Sequence, residues 1–256
     1  MFVFDVDGTL LNSQHQVLDS TKRALGLLKE KGHRIILATA RSPVAMEPIW
    51  DQLGCELFYI GLNGALIVQG QSILWEEAIP PAGAAEALGL ARRYGFSINV
   101  YAGRRWVIEQ ENPLSQVEAE IVGVQPEVAG FGSLEKLHKI LVIGGDGAAR
   151  QYQRELQART CELNVSISKP TYCEIVSHRA SKGRALRQAC ALLGVDLEDT
   201  VAFGDGENDG ELFAVAGRTV AMGNGHPALR AAADFVTASN DGDGILKGVL
   251  WALGQA

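Results

Sequence analysis

The sequence predicts an α/β fold in which a parallel sheet, covered by helices on both faces, is built from both ends of the chain. A smaller α+β domain is inserted between them. Two observations carry this. Short uninterrupted apolar runs alternate with helical patterns over the first 62 residues, and the same texture returns from Ser181 onward; strands buried on both faces of a parallel sheet read this way. Between these stretches the pattern changes to hairpins and short helices of antiparallel character. The length, 256 residues, suits one core domain plus a smaller one.

Taken in order, Phe2-Val3-Phe4 is a buried strand ending at Asp5, with Gly8 turning the chain after it. Asp19–Lys31 is an amphipathic helix: Leu25, Leu27 and Leu28 face inward, Asp19 or Ser20 caps the start, and Gly32 follows the end. Arg34–Thr39 is a second strand, Pro43–Leu53 a helix with proline near its start, and Phe58–Leu62 a third strand. Ala65–Val68 and Ser72–Glu76 form a hairpin around Gln69-Gly70. Pro80-Pro81 breaks the chain, and an alanine-rich helix runs on to Tyr94. Phe96–Tyr101 and Trp106–Glu109 make a second hairpin. A helix at Leu114–Val122, a strand at Lys139–Ile143, a helix at Ala148–Arg159 and strands at Asn164–Ser168 and Tyr172–Val176 follow. The closing stretch holds helices at Ser181–Leu193, Gly210–Ala216, Pro227–Ala233 and Ile245–Leu253. Its strands are Thr200–Phe203, Thr219–Met222 and Phe235-Val236. The expected division is a core of residues 1–80 plus 180–256 and an insert of residues 81–179.

Composition narrows the partners. With 23 basic against 30 acidic residues the net charge is −7, which disfavours a nucleic-acid backbone or an acidic membrane surface. No apolar run approaches the ~20 residues of a membrane span. Met1–Asp5 lacks the basic start of a signal peptide, so a cytoplasmic location is expected. Cys55, Cys161, Cys173 and Cys190 are scattered and read as buried reduced thiols.

Two acidic clusters could carry chemistry. Asp5 and Asp7, in DVDGT, stand two apart at the end of the first strand. Extended residues i and i+2 face one side, at the carboxyl edge where α/β folds place their sites. Two ionised carboxylates ~5 Å apart cost about 3 kcal/mol at a dielectric near 20, a cost relieved by a cation or by protonating one acid; a solvated turn is the competing reading. The second cluster, GDGEND at residues 204–209, again follows an apolar strand. A calcium loop would need a closing glutamate where Ala216 stands, whereas a few carboxylates with phosphate and water suit magnesium. Thr39-Ala40-Arg41-Ser42 lies between a strand and a helix start, where a hydroxyl and free N–H groups make an anion site. Lys182 opens a helix against its dipole, which suggests that it faces an anion instead. GNGHPA at residues 223–228 matches a dinucleotide-binding turn but comes too late in the chain. It reads as a tight turn, with no role for His226, and Asp241–Gly244 reads as a loop.

Together these residues resemble the haloacid dehalogenase-like (HAD) superfamily of phosphatases. DVDGT, Thr39 in ILATAR, Lys182 in SKGRAL and GDGEND match its four motifs in order. The closest likeness is to Cof-like members with a class IIB cap. The resemblance implies a Rossmann-like core with an inserted α+β cap, Mg2+ as cofactor, and a small soluble phosphomonoester, with sugar phosphates the leading class, as substrate. Nucleic acid and membrane are not implied, and the oligomeric state stays open. Asp5 would be the nucleophile and Asp7 the general acid and then base. Asp5, the Asp7 carbonyl and Asp205 would hold the metal, with Asp209 through water or behind it. The Val6 and Ala40 amides, Thr39, Lys182 and Asn208 would hold the phosphate; Arg41 and Asn63 are candidates for specificity. The family usually has glycine where Ala40 stands, and alanine disfavours a positive φ. A phosphomannomutase-type phosphomutase and a non-catalytic phosphometabolite-binding protein are the alternatives.

Overall fold

The computed structural model describes residues 1–55 and 57–255. Contacts divide the chain into two compact units: Met1–Ala40 with Ile49–Trp75 and Ser181–Ala256, and Arg41–Pro48 with Glu76–Ala180.

In the first unit, β1 (Phe2–Asp5) lies between β2 (Ile35–Ala38) and β12 (Val201–Gly204), parallel to both. Phe4 pairs with Leu37 on one side and Phe203 on the other. Beyond β2 runs β3 (Phe58–Gly61); beyond β12 run β13 (Arg218–Ala221) and β14 (Phe235–Val236), all parallel. One edge departs from the expected parallel pattern: β4 (Leu66–Gln69) returns antiparallel to β3 and is followed by β5 (Ser72–Glu76). The short link after β3 allows only a hairpin-like return, since a parallel partner needs a crossover of a dozen or more residues.

Side chains alternate across this sheet. Val3, Ile36, Ala38, Ile60 and Ala202 meet Ala185, Leu186 and Ala189 of α6 (Lys182–Leu193) and Leu212 and Phe213 of α7 (Gly210–Phe213). On the Phe203 and Val220 side lies α9 (Gly244–Ala252), which packs on α1 (Asp19–Glu30). The Phe, Val, Ile and Leu side chains of β1 and β2 are almost fully buried, each contributing about 1.5–3 kcal/mol of transfer free energy.

The second unit is a largely antiparallel sheet with its own core. Its order is β10 (Leu163–Lys169), β11 (Tyr172–Ser177), β9 (Lys139–Ile143), β6 (Ser97–Ala102), β7 (Arg105–Ile108) and β8 (Glu127–Val128). Val100, Ile140, Val142 and Ile175 pack under α3 (Pro81–Arg93) and α5 (Ala148–Arg159). A helix that caps itself, α4 (Pro113–Val122), starts at Asn112, whose side chain accepts from the Leu114 and Ser115 amides.

Some local expectations are corrected. Of the four thiols only Cys173 and Cys190 are buried; Cys55 is half-buried and Cys161, just past the end of α5, is exposed. Neither Asp19 nor Ser20 caps α1: Leu18 holds that position without a side-chain bond, because Asp19 is already helical and Ser20 is buried. Leu27 is half-buried, since the inward stripe runs through Thr21, Ala24, Leu25 and Leu28. The helix expected at Pro43–Leu53 splits into a 3-10 turn, Val44–Met46, and α2 (Glu47–Leu53); Pro48 has no N–H to donate backward, so the helix restarts there. Helix α7 ends at Phe213, short of Ala216. The two-residue β8 has no counterpart in the sequence reading. Among the described residues no helix is long and apolar enough to cross a membrane.

Candidate active site

Strands β1 and β12 are neighbours and end together, so Asp5 and Asp205 leave the sheet side by side at its carboxyl edge. Beside Asp5 stands Lys182, the first residue of α6 and only 1% exposed. Its ammonium donates to Asp5 Oδ1 at 2.6 Å and to Asp209 Oδ1 at 2.7 Å. The other Asp209 oxygen accepts from the Asp205 and Gly206 amides, each at 3.0 Å. Asp209 is thus engaged through both oxygens, bracing its own loop and orienting the lysine. Thr9 Oγ1 donates to Asp205 Oδ1 at 2.9 Å.

Gly8 is required where it stands. Its φ is +85°, and a Cβ there would lie 2.3 Å from Asp205 Oδ2, a closeness and a conformation only glycine accommodates.

The electrostatics show an unbalanced cluster. Burial, then repulsion from Asp209, raises the Asp5 carboxyl well above the usual carboxylate range, against the pull of Lys182. Burial and Asp209 also raise Asp205, against the Thr9 hydrogen bond. Burial opposes the Lys182 charge, but Asp209 and Asp5 outweigh it and raise the ammonium pKa. Three carboxylates thus face one ammonium, leaving about two negative charges unmatched when all are ionised. One oxygen from each of Asp5, Asp205 and Asp209 lies within 4.8 Å of the others. An all-oxygen, net-negative set of this kind suits a hard divalent cation such as magnesium.

The remaining candidates surround this cluster unevenly. The Asp7 side chain is 42% exposed and sits 3.7 Å from His15 Nδ1, outside the carboxylate group. Val6 is fully buried, and its carbonyl accepts from the Leu11 amide at 2.9 Å. Thr39 is buried, with its amide donating to the Ile60 carbonyl at 2.8 Å. Ala40 is not among the residues of positive φ, so alanine fits this loop without strain. Asn208 is exposed, and its amide donates to Asn63 Oδ1 at 3.3 Å. Arg41 falls in the second unit, where its guanidinium donates to the Ala45 carbonyl at 3.3 Å.

Three contributors escape the sequence reading. Thr9 is visible in DVDGT but carries no signal of its long-range bond. His15, at φ 57°, approaches Asp7. Asn224, in the turn set aside as a decoy, donates to the Gly8 carbonyl at 2.9 Å and accepts from the Asn240 amide at 2.9 Å. The same turn supplies the His226 amide to the Asp205 carbonyl at 2.8 Å, and the His226 ring meets Glu207 at 3.1 Å.

Comparison with known proteins follows the same lines. The sequence profile of the haloacid dehalogenase-like hydrolases matches residues 2–249. An HMP-PP phosphatase from Cronobacter sakazakii is 28% identical over 89% of this chain and 85% of its own. A haloacid dehalogenase-like hydrolase from Bacteroides thetaiotaomicron superposes with a TM-score of 0.89 at 28% identity, covering 98% of both chains. A sugar phosphatase of HAD subclass IIB superposes with a TM-score of 0.84 at 25% identity, covering 100% of this chain and 99% of its own.

Proposed function

The chain belongs to the haloacid dehalogenase-like hydrolase family, and from that premise we propose that it is a magnesium-dependent phosphatase of small phosphomonoesters, sugar phosphates first among them. The observation that carries this reading is the Lys182 ammonium bridging Asp5 and Asp209 beside Asp205. The likeness to a sugar phosphatase supports the substrate class.

In this reading an Asp5 oxygen attacks phosphorus, and the bond from phosphorus to the ester oxygen breaks as the Asp5 bond forms. Asp7 gives its proton to the departing alkoxide. The Asp7 carboxylate then takes a proton from water, the water oxygen attacks phosphorus, and Asp5 leaves with its charge restored. Splitting the transfer in this way replaces one difficult displacement by two easier ones. Lys182, Thr39, Asn208 and the Val6 and Ala40 amides hold the phosphate oxygens in line. Asp5, Asp205 and the Asp7 carbonyl would hold magnesium, with Asp209 bracing the loop behind. When bound, the metal neutralises charge between carboxylate and phosphate. The inserted unit acts as the cap and sets the choice of alcohol.

The test is release of inorganic phosphate from an aryl phosphate and from a panel of sugar phosphates, with and without magnesium. Magnesium-dependent release is expected. An isomerised sugar phosphate without free phosphate would establish a mutase instead. Binding of sugar phosphates without turnover of any ester would leave only a sensor.

A further inference from the structure

After β3 the chain makes a turn that its residues resist. Leu62, Asn63 and Gly64 have φ values of 53°, 56° and 95° in succession. Leucine rarely adopts this conformation, asparagine tolerates it and glycine accepts it freely. Leu62 is fully buried, so packing holds it there; such conformations persist where the surroundings over-determine them, often beside a site.

The turn touches three of the four motif segments. The Asn63 amide donates to the Thr39 carbonyl at 3.0 Å. Gly64 lies so close to the residue before Lys182 that a Cβ would sit 2.1 Å from the Ser181 carbonyl oxygen. The Asn63 side chain accepts from Asn208 Nδ2 at 3.3 Å. Asn208 is exposed, so the bond to Asn63 is what constrains its side-chain amide.

The geometry points to Asn63 as a positioning residue that holds the Asn208 amide toward the phosphate, rather than as a reader of the sugar. The strained turn fixes Asn63 against the Thr39 and Lys182 segments, and Asn63 in turn fixes Asn208. This rests on the phosphatase reading. One Asn208 N–H is engaged by Asn63, and the other remains to donate to a phosphate oxygen.

The experiment is a double-mutant cycle on Asn63→Gly, Asn208→Ala and the pair, read as inhibition by inorganic phosphate and as KM for several sugar phosphates. Asn63→Gly keeps the left-handed turn and removes only the side chain. It should raise the inhibition constant for phosphate about five- to tenfold, as loss of one hydrogen bond does. It should raise KM for every ester by the same factor and add nothing in the Asn208→Ala background. An unchanged constant in an active enzyme overturns the inference alone. So does an effect that survives in the Asn208→Ala background, or one that alters the ranking of sugar phosphates. A wild-type protein that neither hydrolyses esters nor binds phosphate overturns the phosphatase reading and this inference with it.

Discussion

The Lys182 ammonium and Asp5 Oδ1 lie 2.6 Å apart although 177 residues separate them in the chain, and both are buried. Removing either partner of such a pair leaves an uncompensated buried charge, which typically costs about 3–5 kcal/mol. Lys182→Met is therefore expected to lower the melting temperature markedly. It should also reduce kcat/KM at least roughly a hundredfold, the scale for losing a group that stabilises developing charge. Thermal denaturation and phosphate release check both, and a near-native rate would contradict the assignment.

The two acids of DVDGT should fail differently. Asp5→Asn removes the attacking oxygen, and turnover should fall by at least about 10³-fold. Asp7→Asn withdraws proton transfer from both half-reactions, so alkyl esters should turn over slowly; with an aryl phosphate, whose leaving group needs no protonation, attack stays possible while release by water slows, and phosphorylated protein should accumulate. Intact-mass measurement after mixing with substrate would detect it. An Asp7→Asn protein that turns over normally would remove the general acid from the scheme.

Magnesium should stabilise the fold as well as activate it. A ligand bound only by the native state at a hundred times its Kd adds about 2.7 kcal/mol. Addition of magnesium should therefore raise the melting temperature, and chelation should abolish activity. Asp205→Asn should lose most of the thermal response, because it takes away one of the three clustered carboxylates.

Gly8→Ala tests the support behind the metal. The added Cβ would collide with Asp205 Oδ2. Misplacing a carboxylate in this way should cost about 10–100-fold in metal affinity, measured as the magnesium concentration giving half-maximal activity. Unchanged affinity would show that Asp205 has no part in binding.

Acid should destabilise the second unit through His138. This ring is 2% exposed; its Nδ1 accepts the Gly103 amide at 2.9 Å, and its Nε2 lies 2.9 Å from Glu76 Oε2. Burial lowers its pKa below the ordinary 6.5 despite Glu76. The unfolded chain then binds the proton more readily, so this contribution is complete above pH 6.5 and is lost as pH falls through the folded value. Hydrogen bonding from Lys136, with further help from His138, depresses the Glu76 carboxyl, which adds a loss of the same sign at lower pH. Melting curves between about pH 5 and 7 should fall toward acid in wild type and be flatter in His138→Gln.

What the sequence disclosed follows from the range of each cause. Val201-Ala202-Phe203 is a strand because of its own apolar residues, and Asp205–Asp209 turns away from the sheet because of its own polar ones. The order of strands and helices was therefore legible. Lys182 was singled out because it opposes its own helix dipole, and that local mismatch was informative. The bond from Thr9 to Asp205 was hidden because its cause is the adjacency of β1 and β12, not anything in DVDGT. The turn at Leu62 was hidden for the opposite reason: local preference argues against a left-handed leucine, and only burial enforces it. The antiparallel edge at β4 depended on the length of a connection rather than on the strand's own residues.

The central place of β1 between β2 and β12 has a consequence for biosynthesis. During synthesis β1 acquires β2 as a neighbour early, but β12 only after some 200 further residues have been made. Until then its Phe2-Val3-Phe4 edge stays open, an invitation to aggregation. The inserted unit, contiguous from Glu76 to Ala180 apart from one short segment and furnished with its own core, can fold while that edge waits. Growth of the nascent chain, rather than hydrophobicity, therefore sets when the clustered carboxylates Asp5 and Asp205 first meet.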